Sequence, residues 1–125
     1  MIVNVLIVED SATQAQKLQE SLESNGFSVT TAGDGAAGLA AVRARRPDLV
    51  ISDIVMPALD GYEMCRQIKA DALLKDTPVV LLTSLSDTED VIRGLECGAD
   101  GFTVKSGSEA PILDAIQQVF HSREL

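Results

Sequence analysis

The chain has 125 residues, 46% of them hydrophobic, and its 19 acidic against 10 basic residues give a formal net charge of −9. This length and composition predict one folded domain, residues 1–125, rather than a disordered acidic tail. The negative charge argues against binding to nucleic acid or to an anionic membrane, because both require a basic surface.

The other global features predict a cytoplasmic protein. Apolar runs are short and no basic segment opens the chain, so neither a membrane span nor a signal peptide is expected. Cys65 and Cys97 have no metal-binding spacing and are expected to pack as free thiols. The single histidine, His121, argues against a histidine-rich metal centre.

Short apolar runs alternate along the chain with segments of helical spacing. The runs are 2–8, 27–31, 48–52, 78–83 and 101–104. Three of them are nearly continuous, which is typical of strands buried on both faces of a parallel sheet. The segments between them repeat apolar residues at three and four positions, and glycine or proline ends several of them. Five such βα units predict an α/β fold with a doubly wound parallel sheet and helices on both faces.

Polar residues end or directly follow four of the five runs, where each strand is expected to end. They are Glu9, Asp10 and Ser11, then Asp53, then Thr83 and Ser84, then Lys105 and Ser106. Each one alone is compatible with a helix cap or a turn. Ligands of open α/β sheets bind beyond the carboxyl ends of the strands, so the four groups together predict a functional site there.

The charges at this edge favour a divalent metal. Glu9, Asp10 and Asp53 bring three negative charges and Lys105 returns one positive charge. Carboxylates at close range destabilise one another unless a cation lies between them. Oxygen ligands without histidine or thiolate favour Mg²⁺ or Mn²⁺ over zinc. Because an aspartate can attack phosphorus while lysine and threonine bind phosphoryl oxygens, the pattern predicts phosphoryl transfer.

These polar residues lie within four stretches, 6–11, 47–61, 78–84 and 98–105, that together resemble the receiver domain of two-component response regulators. The second stretch is the most specific, because Asp53 is followed by Met-Pro and then by Asp-Gly. The resemblance covers nearly the whole chain. It implies a five-stranded sheet of order 2-1-3-4-5.

The resemblance also implies a metal and a source of phosphate. Asp53 matches the residue that accepts a phosphoryl group from a histidine kinase or a histidine phosphotransfer protein. Glu9 and Asp10 match the acidic pair that holds Mg²⁺, and Asp53 and the backbone carbonyl of Val55 match further metal ligands.

Three other residues match the switching parts of the family. Thr83 and Lys105 match the residues that contact the phosphoryl group, and Phe102 matches the aromatic residue whose rotamer follows the threonine. The face of the fourth helix, fifth strand and fifth helix would then contact a downstream protein partner.

Three positions differ from the usual family pattern. Ser106 follows Lys105 where many members have proline, so a cis bond there would cost about 2.5–4 kcal/mol. Glu9 replaces the first aspartate of the acidic pair, and Phe102 lacks the hydroxyl of the more frequent tyrosine.

Two other functions compete with a phosphorylation-controlled switch. One is an interaction module that works without phosphorylation. The other is a Mg²⁺-dependent phosphohydrolase, which usually has a second acid two residues after its nucleophile, where this chain has Val55. We therefore expect a switch that promotes its own phosphorylation and dephosphorylation but is not a turnover enzyme. The sequence leaves open its kinase, its output and whether it is a stand-alone protein or part of a longer one.

Overall fold

The computed structural model describes residues 3–83, 88–105 and 110–124, which form five strands and five helices in alternation. The strands are β1 (Asn4–Val8), β2 (Ser28–Ala32), β3 (Leu49–Asp53), β4 (Val79–Thr83) and β5 (Gly101–Val104). The helices are α1 (Ala12–Ser24), α2 (Gly35–Arg45), α3 (Gly61–Ala70), α4 (Thr88–Glu96) and α5 (Ala110–Glu124). All strand pairs are parallel and the order is β2-β1-β3-β4-β5, which confirms the predicted fold.

The sheet separates two apolar cores, which explains the continuous apolar runs. Val5 and Ile7 point towards the core shared with α1 and α5. Leu6 and Val8 point towards the core shared with α2, α3 and the end of α4. Every residue of β3 and β4 is buried, since both central strands are covered on each face.

Side-chain caps fix where three helices begin, and all three begin at the carboxyl edge of the sheet. The hydroxyl of Ser11 accepts a hydrogen bond from the backbone N–H of Gln14 at 3.3 Å and starts α1. Asp34 and Asp60 cap α2 and α3 in the same way. Ser11 thus belongs to the helix start rather than to the acidic cluster.

The two cysteines pack together between α3 and the end of α4. Both are buried free thiols, and the Cys65 thiol donates to the carbonyl oxygen of Cys97 at 3.5 Å. The hydrogen bond with the Cys97 thiol and burial together raise the pKa of the Cys65 thiol. The expectation that both cysteines pack is confirmed. Across the described ranges, no helix combines the length and the apolar character that a membrane crossing requires.

Candidate functional site

The carboxyl ends of β1 and β3 place three carboxylates side by side. Val8 of β1 pairs in register with Ser52 of β3, so the next residues, Glu9 and Asp53, are neighbours across the two strands. Asp10 follows Glu9, and one carboxylate oxygen from each of the three lies within 4.8 Å of the others. The acidic cluster defined by Glu9, Asp10 and Asp53 is therefore a direct result of the parallel register.

Two members of the acidic cluster are buried and held by backbone N–H groups. Asp53 is 8% exposed, and its Oδ1 accepts a hydrogen bond from the N–H of Ile54 at 2.9 Å. Glu9 is 5% exposed, and its Oε1 accepts from the N–H of Ser11 at 3.1 Å. Asp10 is exposed and lies at the open side of the cluster. The cluster is thus fixed at its base and accessible from one side.

Lys105 reaches the acidic cluster from the carboxyl end of β5, the outermost strand beside β4. It directly follows β5, and its ammonium nitrogen lies 3.0 Å from Asp53 Oδ2 and 3.0 Å from Glu9 Oε2. A third hydrogen bond runs from Lys105 Nζ to Gln14 Oε1 at 2.9 Å. The structure thus brings the predicted lysine to the predicted carboxylates and adds Gln14, which the sequence analysis did not single out.

The pKa directions agree with a crowded acidic site. Burial raises the pKa of Glu9 and the nearby Asp53 charge adds to this, while the Ser11 N–H and Lys105 oppose it. Burial alone would lower the pKa of Lys105, but its hydrogen bonds to Asp53 and Glu9 outweigh burial and raise it. Lys105 therefore stays protonated, and its single charge leaves the three carboxylates with a negative excess.

Thr83 lies at the end of β4, next to the acidic cluster. Asp53 pairs in register with Leu82, so Thr83 lies one residue beyond the level of the Asp53 carboxylate. Its side chain is buried, and its carbonyl accepts a hydrogen bond from the N–H of Lys105.

Phe102 lies in β5, and its half-buried ring packs against α4 at Gly94. A Cβ at Gly94 would lie 2.9 Å from Cδ2 of the ring, so only glycine leaves room for the ring in this position. The ring contacts the core that contains Leu81. The sequence did not predict this use of Gly94.

The loop between β3 and α3 carries Val55 and is held close to Asp53 by glycine. Val55 has a 74% exposed side chain two residues after Asp53. The N–H of Gly61 donates to the Ile54 carbonyl at 2.8 Å, and a Cβ at position 61 would overlap the Asp53 carbonyl oxygen. Gly61 thus allows α3 to start against the backbone of Asp53 itself, a role that only the three-dimensional contact reveals.

Two positions of interest lie outside the described residues. Ser84 follows Thr83, and Ser106 follows Lys105. The question of a cis bond between Lys105 and Ser106 therefore concerns a residue that the structure does not describe.

The donor set of the acidic cluster fits Mg²⁺ or Mn²⁺. It consists of carboxylate oxygens from Glu9, Asp10 and Asp53 that lie close enough to share one ion. Two of these carboxylates are buried with only part of their charge compensated, and such a set takes a hard divalent cation readily. Exposed Asp10 leaves the open side free for water or phosphate oxygens as further ligands.

Comparison with known proteins gives one family over most of the chain. The family model described as response regulator receiver domain matches residues 5–117. The DNA-binding response regulator MtrA of Mycolicibacterium paratuberculosis is 43% identical over 101 residues, which are 81% of this chain and 44% of MtrA. The transcriptional regulatory protein CseB of Streptomyces avermitilis is 40% identical over 116 residues, 93% of this chain and 48% of CseB. The chain thus spans slightly less than half of these relatives.

Solved structures give the same result. The receiver domain of a signal transduction histidine kinase from Syntrophus aciditrophicus is 41% identical with a TM-score of 0.87, covering 96% of this chain and 91% of that one. The chemotaxis response regulator CheY4 of Vibrio cholerae is 33% identical with a TM-score of 0.89, covering 95% and 99% of the two chains.

The expectation of no nucleic-acid partner finds no support in these relatives. MtrA is named as a DNA-binding protein and CseB as a transcriptional regulator, and each is about twice as long as the matched part. The acidic composition applies only to the 125 residues of this chain. It says nothing about a basic surface on another segment.

Proposed function

This chain belongs to the response regulator receiver domain family, and on that premise we propose that it is a phosphorylation-controlled switch in which Asp53 accepts a phosphoryl group from a histidine kinase or a histidine phosphotransfer protein. The observation that carries the proposal is the buried Asp53 carboxylate, which has Lys105 at 3.0 Å and two further carboxylates within 4.8 Å. Receiver domains are signalling switches rather than turnover enzymes.

The transfer step uses Asp53 as the nucleophile. One carboxylate oxygen attacks phosphorus, a P–O bond forms, and the P–N bond to the donor histidine breaks. The histidine nitrogen keeps the bonding electron pair and takes up a proton. Lys105 already lies beside Asp53 and pairs with a phosphoryl oxygen, which offsets the added negative charge.

Mg²⁺ is the proposed cofactor, and Mn²⁺ is expected to replace it. Glu9, Asp10, Asp53 and the backbone carbonyl of Val55 are the proposed ligands, with Asp10 direct and Glu9 acting directly or through water. When bound, the ion neutralises the excess charge of the acidic cluster and orients the phosphoryl oxygens. In the metal-free site the hydrogen bonds to Asp53 and Glu9 raise the pKa of Lys105, so the lysine brings a positive charge to the acidic cluster before any ion binds.

The proposed switch runs from Thr83 to the face of α4, β5 and α5. The Thr83 hydroxyl is proposed to contact the new phosphoryl group, and the Phe102 ring to follow it. The position of Phe102 supports this role. Its ring packs on α4 at Gly94, so a change in the ring's rotamer would alter how α4 packs against the sheet. On the same face, Leu95 and Val104 expose apolar side chains, which suits a protein partner.

A phosphohydrolase reading receives less support from the site. Such an enzyme would place a second acid two residues after the nucleophile, and the side chain of Val55 at that position has no proton to exchange. We propose that the chain promotes the formation and loss of its own phosphoryl group without multiple turnover of a substrate.

Acetyl phosphate and Mg²⁺ provide a direct test that needs no cognate kinase. Intact mass spectrometry should show one added phosphoryl group in the wild type and none in Asp53→Asn. The matched control is Asp34→Asn, the same exchange at an exposed helix cap outside the acidic cluster, where asparagine still caps the helix. Chelation of Mg²⁺ should suppress the adduct. An adduct that persists in Asp53→Asn, or no adduct in the wild type, would overturn the proposal.

A further inference from the structure

Gln14 connects the first turn of α1 to the lysine of the acidic cluster. Its Oε1 lies 2.9 Å from Lys105 Nζ, a shorter contact than either ion pair of that ammonium group. The two residues are 91 positions apart in the chain. The hydrogen bond is therefore a tertiary contact and not a by-product of local helix geometry.

The Gln14 contact belongs to a closed ring of hydrogen bonds. The Ser11 N–H donates to Glu9 Oε1, and the Gln14 N–H donates to Ser11 Oγ. Lys105 then donates both to Gln14 Oε1 and to Glu9 Oε2, which closes the ring. The backbone of Gln14 is thus held at the helix start, within reach of the ammonium group for its side-chain amide oxygen.

The three acceptors of Lys105 behave differently when Asp53 is phosphorylated. An ammonium group has three N–H donors, and contacts with Asp53, Glu9 and Gln14 occupy that number. Asp53 would become an acyl phosphate, and the Glu9 carboxylate would help to hold Mg²⁺, directly or through water. Of the three acceptors, Gln14 is the neutral one. Neither the phosphorylation of Asp53 nor the binding of metal by Glu9 involves it.

We propose that Gln14 is a positioning residue for phosphoryl transfer, which holds the Lys105 ammonium in place while that group exchanges the Asp53 carboxylate for a phosphoryl oxygen. The proposal rests on the proposed function of Asp53. Lysine has a flexible four-carbon stem, and holding it near the reacting oxygens lowers the entropy lost in the transition state. The side chain of Gln14 accepts its hydrogen bond from Lys105, so it acts through Lys105.

The test compares the rate of phosphorylation by acetyl phosphate at saturating Mg²⁺ in four proteins: wild type, Gln14→Leu, Lys105→Met and the double variant. Gln14→Leu keeps the volume but removes the acceptor, and it should slow phosphorylation by about three- to tenfold, as expected for one solvent-exposed hydrogen bond to a charged group. In the Lys105→Met background the same change should have no further effect. Gln14→Glu retains an acceptor oxygen and should restore most of the rate.

Gln16→Leu is the matched control, since this exposed glutamine lies on the same helix and bonds to Glu20. Its rate should equal that of the wild type. The proposal is refuted if the phosphorylation rate of Gln14→Leu stays within twofold of the wild-type rate. It is also refuted if adding Gln14→Leu to Lys105→Met lowers the rate by the same factor as adding it to the wild type. A wild type that takes up no phosphoryl group would instead refute the proposed function of Asp53 and the role of Gln14 with it. If the wild type is phosphorylated at Asp53 and Gln14→Leu reacts at the same rate, only the proposed role of Gln14 is refuted.

Discussion

Removal of Lys105 should destabilise the fold in the absence of metal. Lys105→Met takes away the cation that lies 3.0 Å from both Asp53 and Glu9 and leaves two buried carboxylates with one partner fewer. Each contact corresponds to about 5 kcal/mol of Coulomb attraction at an effective dielectric constant of about 20, most of which desolvation offsets.

Breaking a fully buried pair costs about 3–5 kcal/mol, so the 26% exposed Lys105 side chain reduces the expected loss to about 2–4 kcal/mol. For a chain of 125 residues this loss corresponds to a fall in Tm of about 8–15 °C, using an unfolding entropy of about 2.1 cal/mol/K per residue. Mg²⁺ should reverse part of the loss, because the ion provides the positive charge that the lysine no longer supplies. At a concentration one hundred times its Kd, a ligand of the native state adds about 2.7 kcal/mol.

Urea unfolding followed by circular dichroism, with chelator and then with Mg²⁺, measures both effects. Exposed Lys17→Met is the control and should change the free energy of unfolding by less than about 0.5 kcal/mol in either condition. The reasoning is refuted if Lys105→Met costs no more than the control in chelator. It is also refuted if Mg²⁺ stabilises Lys105→Met no more than it stabilises the wild type.

Three further predictions concern the residues around the site. Because burial raises the pKa of Glu9, the native state binds this proton more tightly than the unfolded state. Without metal, the Glu9 contribution to stability should therefore grow as the pH falls from neutral through the raised pKa, while the affinity for Mg²⁺ should fall over the same range. Calorimetric titration with Mg²⁺ should show that the affinity depends less on pH in Glu9→Gln than in the wild type. An equal pH dependence in the two proteins would contradict the raised pKa of Glu9. Gly61→Ala should cost about 1–3 kcal/mol in urea unfolding and lower phosphorylation, because its Cβ meets the Asp53 backbone, which cannot move aside cheaply; a stability equal to that of the wild type would contradict this packing. Gly94→Ala should change stability by less than about 1 kcal/mol, because the half-buried Phe102 ring can swing outward and alanine favours the helix. NMR shifts should report the displaced ring, and unchanged ring shifts would contradict the contact.

The fold was predictable because its signals are local and repeated. Continuous apolar runs such as 78–83 mark strands covered on both faces, and β4 is indeed buried at every residue. The grouping of Glu9, Asp10 and Asp53 was predictable for the same reason, since parallel strands bring their carboxyl ends to one edge.

Features that depend on tertiary distance were not predictable. Gln14 is one of several glutamines in α1, and no pattern in the chain distinguishes it from Gln16. Gly61 and Gly94 matter because a Cβ at these positions would collide with Asp53 and with Phe102, respectively. Each of these neighbours is 8 residues away in the chain, and only the folded structure shows that the two residues touch. Sequence thus predicts which groups share an edge, whereas the contacts that hold them require the assembled structure.

The contact between Lys105 and Glu9 also has a consequence for the time at which the site forms. It joins residues 96 positions apart and links the last strand of the sheet to the first. During synthesis the carboxylates of β1 and β3 emerge well before Lys105, and contacts of such long sequence separation form late in folding. A chain in which β5 has not yet paired with β4 therefore holds Asp53 without the lysine beside it. On the proposed function, the capacity to accept a phosphoryl group is then complete only when the last strand has joined the sheet.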